Sequence, residues 1–219
     1  MRDWARNRAL LLANAGLFFL FFVGMAWFGF SVYNEDQTDH GHDPVSFGHY
    51  LLTGDFVEAT FENWESEFLQ MGMYVVLTAY LVQRGSSESK KSEGAEQDED
   101  PRTARNRPGV PWPVRRGGWV LKVYEKSLAL LFFVLFLGSF WGHALGGARA
   151  YSAEQLDHGG QAVTAWQYLG TSQFWFESMQ NWQSEFLAIA VMVGASVYLR
   201  YRGSPESKAV AAPHSSTGA

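Results

Sequence analysis

The 219-residue chain contains no cysteine. Disulfide bonds, thiolate metal ligands and cysteine nucleophiles are therefore excluded. The chain also lacks the nucleophile-elbow, zinc-protease, phosphate-loop and dinucleotide-binding motifs that indicate particular catalytic chemistries. An enzymatic activity stays open on these grounds, but the sequence favours a protein without one.

Basic residues are few, and they are unevenly distributed. The formal net charge is −5 and the isoelectric point is about 5.7, which argues against a nucleic-acid partner. Residues 34–67 contain no Lys or Arg, whereas basic residues concentrate before residue 9, within 84–126 and within 200–208. By the positive-inside rule, both termini and the central segment are predicted to be cytoplasmic, and the acidic loops between spans face outward.

Apolar and aromatic residues, by contrast, are abundant and clustered. Residues 9–33 and 127–148 carry no Asp, Glu, Lys or Arg, and each run is long enough to cross a bilayer, which takes about 20 residues. Two weaker spans are predicted at about 64–84 and 182–202, each beginning at Trp and ending near Arg. The sequence therefore predicts an all-α protein with four transmembrane helices in a lipid bilayer.

The chain also repeats itself with an offset of 118 residues. Residues 39–90 align without gaps with 157–208, and 23 of these 52 positions are identical. The strongest match pairs FENWESEFL at 61–69 with MQNWQSEFL at 179–187. Because each copy holds two spans, both copies enter the membrane in the same orientation, which we interpret as two parallel two-helix repeats.

The predicted boundaries follow from this duplication. Repeat 1 covers 1–84 and repeat 2 covers 119–203. A linker at 85–118 and a tail at 204–219 are predicted to be disordered and cytoplasmic, because they are polar and poor in apolar residues. A short aromatic-bearing piece precedes the second span of each copy, and we expect it to form an outer interfacial helix.

The duplicated motif N-W-(E/Q)-S-E-F supplies the main candidate site. Its polar face carries Glu67 and Glu185 at the outer edge of the hydrocarbon, and His143 reaches a similar depth on the antiparallel helix, close enough to contact either carboxylate. Glu65 is assigned no chemistry, because Gln183 replaces it in the second copy. The candidate residues are Asn63, Trp64, Ser66, Glu67, Gln70, Asn181, Trp182, Ser184, Glu185 and His143.

Two functions are consistent with this face. Carboxylates inside a membrane are costly and usually functional, so the motif could form the outer vestibule of a small channel or transport component for cations or protons. Four spans enclose little room for a pore, so we expect a homodimer in that case. The alternative is a structural or envelope-stress membrane protein in which the motif locks the repeats together.

A third hypothesis concerns the Asp-His-Gly sequence found in each outer loop. Asp39 with His40, and Asp157 with His158, offer carboxylate and imidazole ligands for a divalent metal ion on the outer face. The same three residues also suit a simple loop turn. No other cofactor is predicted.

The duplicated N-W-(E/Q)-S-E-F-L before spans two and four, with Asp-His-Gly in each outer loop, resembles an uncharacterised family of bacterial integral membrane proteins. The resemblance covers nearly the whole chain apart from the linker and the tail. It implies a multi-pass protein of the bacterial inner membrane and carries no activity with it.

Overall fold

The computed structural model describes residues 2–89 and 99–218, and within these ranges it is helical without strands. The all-α prediction is therefore confirmed for the described residues. The helices are α1 (Arg2–Arg6), α2 (Ala9–Asp39), α3 (Phe47–Tyr50), α4 (Gly54–Tyr80), α5 (Trp112–Arg116), α6 (Gly118–Tyr124), α7 (Ser127–Asp157), α8 (Ala165–Tyr168) and α9 (Ser172–Ala195).

Helices α2 and α7 are each 31 residues long and apolar enough to cross a membrane, with mean hydropathies of 2.2 and 2.0 over their best windows. Within the protein, only 6% and 17% of those windows are buried. The core helix of a soluble protein would bury most of such a surface, because water does not tolerate large contiguous apolar patches. Length and exposed apolar surface make both helices candidates for crossing a membrane.

Helices α4 and α9 occupy the positions of the predicted second and fourth spans. Neither is apolar over a long enough stretch to qualify as a span, so the described residues hold two candidate membrane helices where the sequence predicts four. The reason is composition, because the first half of each helix is polar. In α4 that half carries five acidic residues: Asp55, Glu58, Glu62, Glu65 and Glu67.

The Cα positions group into two compact units. Unit 1 comprises Met1–Thr60 and Gly142–Gly170, and unit 2 comprises Phe61–Trp141 and Thr171–Ala219. One apolar cluster of unit 1 is built on buried Ala26, Tyr50 and Phe56.

Within unit 1, residues 118 positions apart make matching contacts. The rings of Tyr33 and Tyr50 lie 5.5 Å apart, and those of Tyr151 and Tyr168 lie 5.6 Å apart. Side chains at equivalent positions also hold the approach to each short helix. Asn34 bonds both the N–H and the C=O of Val45, at 2.7 and 3.1 Å, and Ser152 does the same to Val163, at 2.9 and 3.2 Å.

Glycine allows the two tyrosine rings to reach the long helices. A Cβ on Gly29 would overlap the hydroxyl of Tyr50 and lie 3.2 Å from its Cζ. A Cβ on Gly147, the equivalent position, would lie 2.7 Å from Cζ of Tyr168. Both rings therefore pack directly on helix backbone, which only glycine leaves open.

The linker and the tail carry more local structure than their composition suggests. Residues 90–98 of the predicted disordered linker lie outside the described residues, whereas 99–118 contain α5 and a two-bond ion pair between Arg107 and Glu99 at 2.6 and 2.8 Å. The tail forms turns in which Lys208 Nζ donates to carbonyls of Pro213, His214 and Ser216, at 3.4, 3.0 and 3.0 Å.

Candidate functional site

A largely buried group of polar side chains in unit 1 lies on and beside the apolar helix α7. His143 on α7 and Tyr168 at the end of α8 are completely buried. A carboxylate oxygen of Glu58, in the second turn of α4, and a ring nitrogen of His143 lie within 4.8 Å of each other. The Tyr168 hydroxyl donates a hydrogen bond of 2.9 Å to Glu58 Oε1. We call Glu58, His143 and Tyr168 the Glu58–His143 cluster.

Two glycines on α7 bring the start of α4 into position. A Cβ on Gly146 would lie 2.9 Å from Glu58 Cα, and a Cβ on Gly147 would lie 2.6 Å from Glu58 Oε1. Backbone therefore packs against backbone at this crossing, as small residues permit. The close approach brings the Glu58 side chain beside His143, which lies one helical turn from Gly146 and Gly147 along α7.

Glu58 was not among the residues predicted from the sequence. His143 was predicted, but with Glu67 or Glu185 as its neighbour, whereas the carboxylate beside it in its own unit is Glu58. A signal for the pair does exist in the sequence. His143 aligns with Met25 and Glu58 aligns with Phe176, so each polar residue replaces an apolar one of the other copy. These two departures from the repeat meet in space.

This cluster has a defined chemical capacity. An imidazole beside a carboxylate can take up a proton, and both groups are accepted ligands for divalent transition metals. The hydrogen bond from Tyr168 orients the carboxylate, as partners of metal-ligating or proton-binding groups commonly do. The residues present therefore fit either a proton or a divalent cation.

In unit 2, the buried carboxylate of the duplicated motif is that of Glu65. Glu65 is fully buried, and its Oε1 accepts hydrogen bonds from Ser178 Oγ at 3.2 Å and Trp182 Nε1 at 3.0 Å. Position 65, to which the sequence assigns no chemistry, therefore makes a structural contact with α9. A buried carboxylate is costly unless it is hydrogen-bonded, and these donors from α9 supply the bonds.

The other motif residues are mostly engaged along their own helices or at the α4–α9 contact. Ser66 and Ser184 donate to the carbonyls of Asn63 and Asn181, at 2.8 Å in both copies. Gln70 donates to the backbone carbonyl of Glu185 at 2.7 Å. Asn181 donates to Glu62, and Trp64 packs on Phe61 with ring centroids 5.4 Å apart. The Glu67 side chain is exposed, and that of Glu185 is half-buried.

The two Asp-His-Gly sequences form turns after long helices. His40 Nδ1 lies 2.9 Å from the Asp36 carbonyl and His158 Nδ1 lies 2.8 Å from the Glu154 carbonyl, so each imidazole caps its own helix. The hydrogen bond to the Asp36 carbonyl, followed by the charge of Asp36, raises the pKa of His40.

The glycine of each sequence supports the turn interpretation. Gly41 and Gly159 have φ of 80° and 77°, the left-handed conformation typical of a helix-ending turn. Among the described residues, no cluster of three or more His, Asp and Glu side chains with mutually close ligand atoms includes Asp39, His40, Asp157 or His158. The geometry favours a turn over a metal site at these positions.

Comparison with known protein families identifies one that covers the whole chain. Residues 1–219 match a family described as a domain of unknown function, DUF6766. The chain belongs to the DUF6766 family. No curated protein and no solved structure matches it. Membership of DUF6766 brings no activity with it, so a functional conclusion has to rest on the geometry of the sites.

Proposed function

We propose that this DUF6766 member is a bacterial inner-membrane protein that handles protons or divalent cations through the Glu58–His143 cluster. The observation that carries the proposal is the complete burial of His143 on an apolar 31-residue helix with the Glu58 carboxylate within 4.8 Å. Ionisable groups in membrane helices are expensive and generally mark an ion or proton path.

The proposed membrane arrangement has four spans in two parallel repeats. Helices α2 and α7 are the first and third spans, and α4 and α9 are the second and fourth, with their polar first halves at the outer boundary. The 118-residue sequence offset and the matching contacts of Tyr33–Tyr50 and Tyr151–Tyr168 support the repeats. The distribution of Lys and Arg supports cytoplasmic termini.

The depth of the cluster suits an entry site. His143 follows the start of α7 by 16 residues, which is about 24 Å of helix against a hydrocarbon core of about 30 Å. His143 therefore lies towards the outer boundary if α7 starts at the cytoplasmic side. Asp39 at the end of α2 and Asp43 in the loop after it are acidic and raise the local cation concentration there. Four helices enclose little room, which favours a homodimer as the working form.

Flux measurements on the full chain in liposomes test this proposal. We expect proton entry, followed with a trapped pH dye, or Zn²⁺ entry, followed with a trapped metal dye, to be lost in Glu58→Gln and in His143→Gln. Glu35→Gln removes an equal charge from an exposed position of α2 and should keep the flux. Unfolding temperatures in micelles must match across the variants. A wild-type chain that moves neither ion and binds no Zn²⁺ overturns the proposal.

A second function is favoured by a separate observation in unit 2. Buried Glu65, with its bonds from Ser178 and Trp182, joins α4 to α9 through the duplicated motif. A structural membrane protein held together by this contact would show strong destabilisation on Glu65 replacement, without any ion flux in the wild type. The same liposome and unfolding measurements therefore separate the two functions.

A further inference from the structure

We propose that the segment preceding α7 binds the phosphate headgroup of an anionic membrane lipid. A cavity of about 340 Å³ lies at the corner between α5 and α6 in unit 2. We call it the basic cavity, and its walls are Arg102, Arg105, Val114, Gly117, Gly118, Leu121, Lys122 and Glu125. Its volume falls within the range of small-ligand clefts, about 300–1,000 Å³.

The charge of the basic cavity selects an anion. Three cationic side chains, Arg102, Arg105 and Lys122, face one carboxylate, Glu125, so the walls carry an excess of positive charge. Guanidinium groups bind phosphate oxygens through paired N–H donors, and a lysine adds a compact positive charge. A phosphodiester complements this set, whereas a metal cation or a neutral sugar does not.

The two guanidinium groups of the cavity differ in how firmly the surrounding chain holds them. Arg105 Nε donates to the Arg115 carbonyl at 2.7 Å, which ties the 99–107 segment to α5. The ion pair of Glu99 with Arg107 closes the same segment on itself. Arg102 meets Asp100 only at 4.0 Å, and its side chain is 75% exposed, so it is accessible to a ligand.

The shape of the basic cavity depends on two adjacent glycines. Gly117 and Gly118 have φ of 69° and 64°, a conformation that glycine adopts without strain. They turn the chain sharply between α5 and α6, so that buried Val114 and Leu121 form an apolar floor below the basic side chains. An apolar floor under a cationic rim suits an amphipathic ligand.

A lipid is the occupant that the surroundings favour. Trp112 and Trp119 are 59% and 76% exposed on the two short helices that form the corner. Exposed tryptophan is characteristic of the membrane interface, where the indole lies among headgroups. Helix α6 ends at Tyr124, and α7 begins at Ser127. The inference rests on the proposed membrane insertion of α7, which would bring the basic cavity to headgroup level.

Lipid titration of the full chain in neutral detergent micelles tests the inference, with bound lipid counted by native mass spectrometry. We expect phosphatidylglycerol to bind and phosphatidylcholine not to bind. R102Q/K122Q should weaken phosphatidylglycerol binding by about tenfold or more, since it removes two cavity-lining cations that would form charged hydrogen bonds with the phosphate. R115Q/R116Q removes the same charge from α5 outside the cavity walls and should change binding less than about twofold.

Three results would overturn the inference. Equal weakening by both double variants would show a general charge effect, and no weakening by R102Q/K122Q at an unchanged unfolding temperature would show that the cavity is not the site. Displacement of phosphatidylglycerol by millimolar inorganic phosphate would identify the ligand as free phosphate. Ion flux in liposomes is read separately, so failure of the proposed function is distinguishable from failure of this site.

Discussion

Tyr168 donates its hydroxyl to Glu58 Oε1 at 2.9 Å, across 110 positions of sequence. The repeat-equivalent Tyr50 packs its ring on Gly29 as Tyr168 packs on Gly147. The Tyr168–Gly147 contact of the second copy is therefore joined by His143 of the same copy and by the Glu58 carboxylate of the first copy. The ring-on-glycine contact occurs in both copies, and at Tyr168 it also supports the polar cluster.

Removal of that hydroxyl is the most direct test of the cluster. Tyr168→Phe keeps the ring packing and deletes one hydrogen bond to a carboxylate, so we expect the free energy of unfolding to fall by about 1.5–3 kcal/mol. Tyr50→Phe is the matched control in the other copy and should cost less. Chemical unfolding of the full chain in micelles measures both. An equal or larger loss in Tyr50→Phe would show that the Glu58 bond is unimportant.

Gly146 and Gly138 of α7 differ in their surroundings, because Gly146 lies at a close helix crossing and Gly138 lies in open space. A Cβ at Gly146 would lie 2.9 Å from Glu58 Cα and from the Val57 carbonyl carbon, so Gly146→Ala should cost about 1–3 kcal/mol of stability. Gly138 has no heavy atom within 4 Å of an added Cβ, so Gly138→Ala should be neutral or stabilising by up to about 1 kcal/mol. Similar thermal unfolding of both variants would contradict the α4–α7 packing.

Replacement of the motif carboxylates should separate buried from exposed positions. Glu65→Leu leaves the Ser178 hydroxyl and the Trp182 indole N–H without their carboxylate acceptor, and we expect a loss of about 2 kcal/mol or more. Glu65→Gln retains an acceptor oxygen and should be milder. Glu67 is exposed, so Glu67→Leu should change the free energy of unfolding by less than about 0.5 kcal/mol. The reverse order would show that Glu67 is the buried carboxylate.

A pH effect is expected at the end of unit 2 that holds Glu88 and Glu206. The negative charge of Glu88, then burial and a hydrogen bond with Glu88, raises the pKa of Glu206 above 4.5. The folded chain therefore holds this proton more tightly than the unfolded chain. The resulting stability is present below pH 4.5 and is lost as the pH rises through the folded-state pKa.

Glu206→Gln removes this titration. The variant should be more stable than the wild type at neutral pH, because the repulsion from Glu88 is gone, and the advantage should shrink as the pH falls through the folded-state pKa towards 4.5. Glu35→Gln, at an exposed site, should show no such trend. Unfolding temperatures between pH 4 and pH 8 measure the difference, and a Glu206→Gln advantage that grows towards low pH would contradict the assignment.

The sequence by itself determined the elements that depend on local composition. Uninterrupted apolar runs specify α2 and α7, since a long apolar stretch has one stable conformation in lipid. The offset of 118 residues predicted which positions are equivalent, and the Tyr33–Tyr50 and Tyr151–Tyr168 pairs make matching contacts. The same reasoning predicted spans at α4 and α9, whose polar first halves keep them from qualifying as candidate spans. Composition does not say whether a polar helix face is covered by protein or exposed.

Tertiary structure alone decided which carboxylates are buried. Glu65 and Glu67 lie two residues apart, about 200° around a helix of 3.6 residues per turn, so only one of them can face a given neighbour. The neighbour that covers Glu65 is Trp182, 117 positions away, and the partner of Glu58 is Tyr168, 110 positions away. Such contacts depend on how distant helices meet, which no local pattern of side chains specifies.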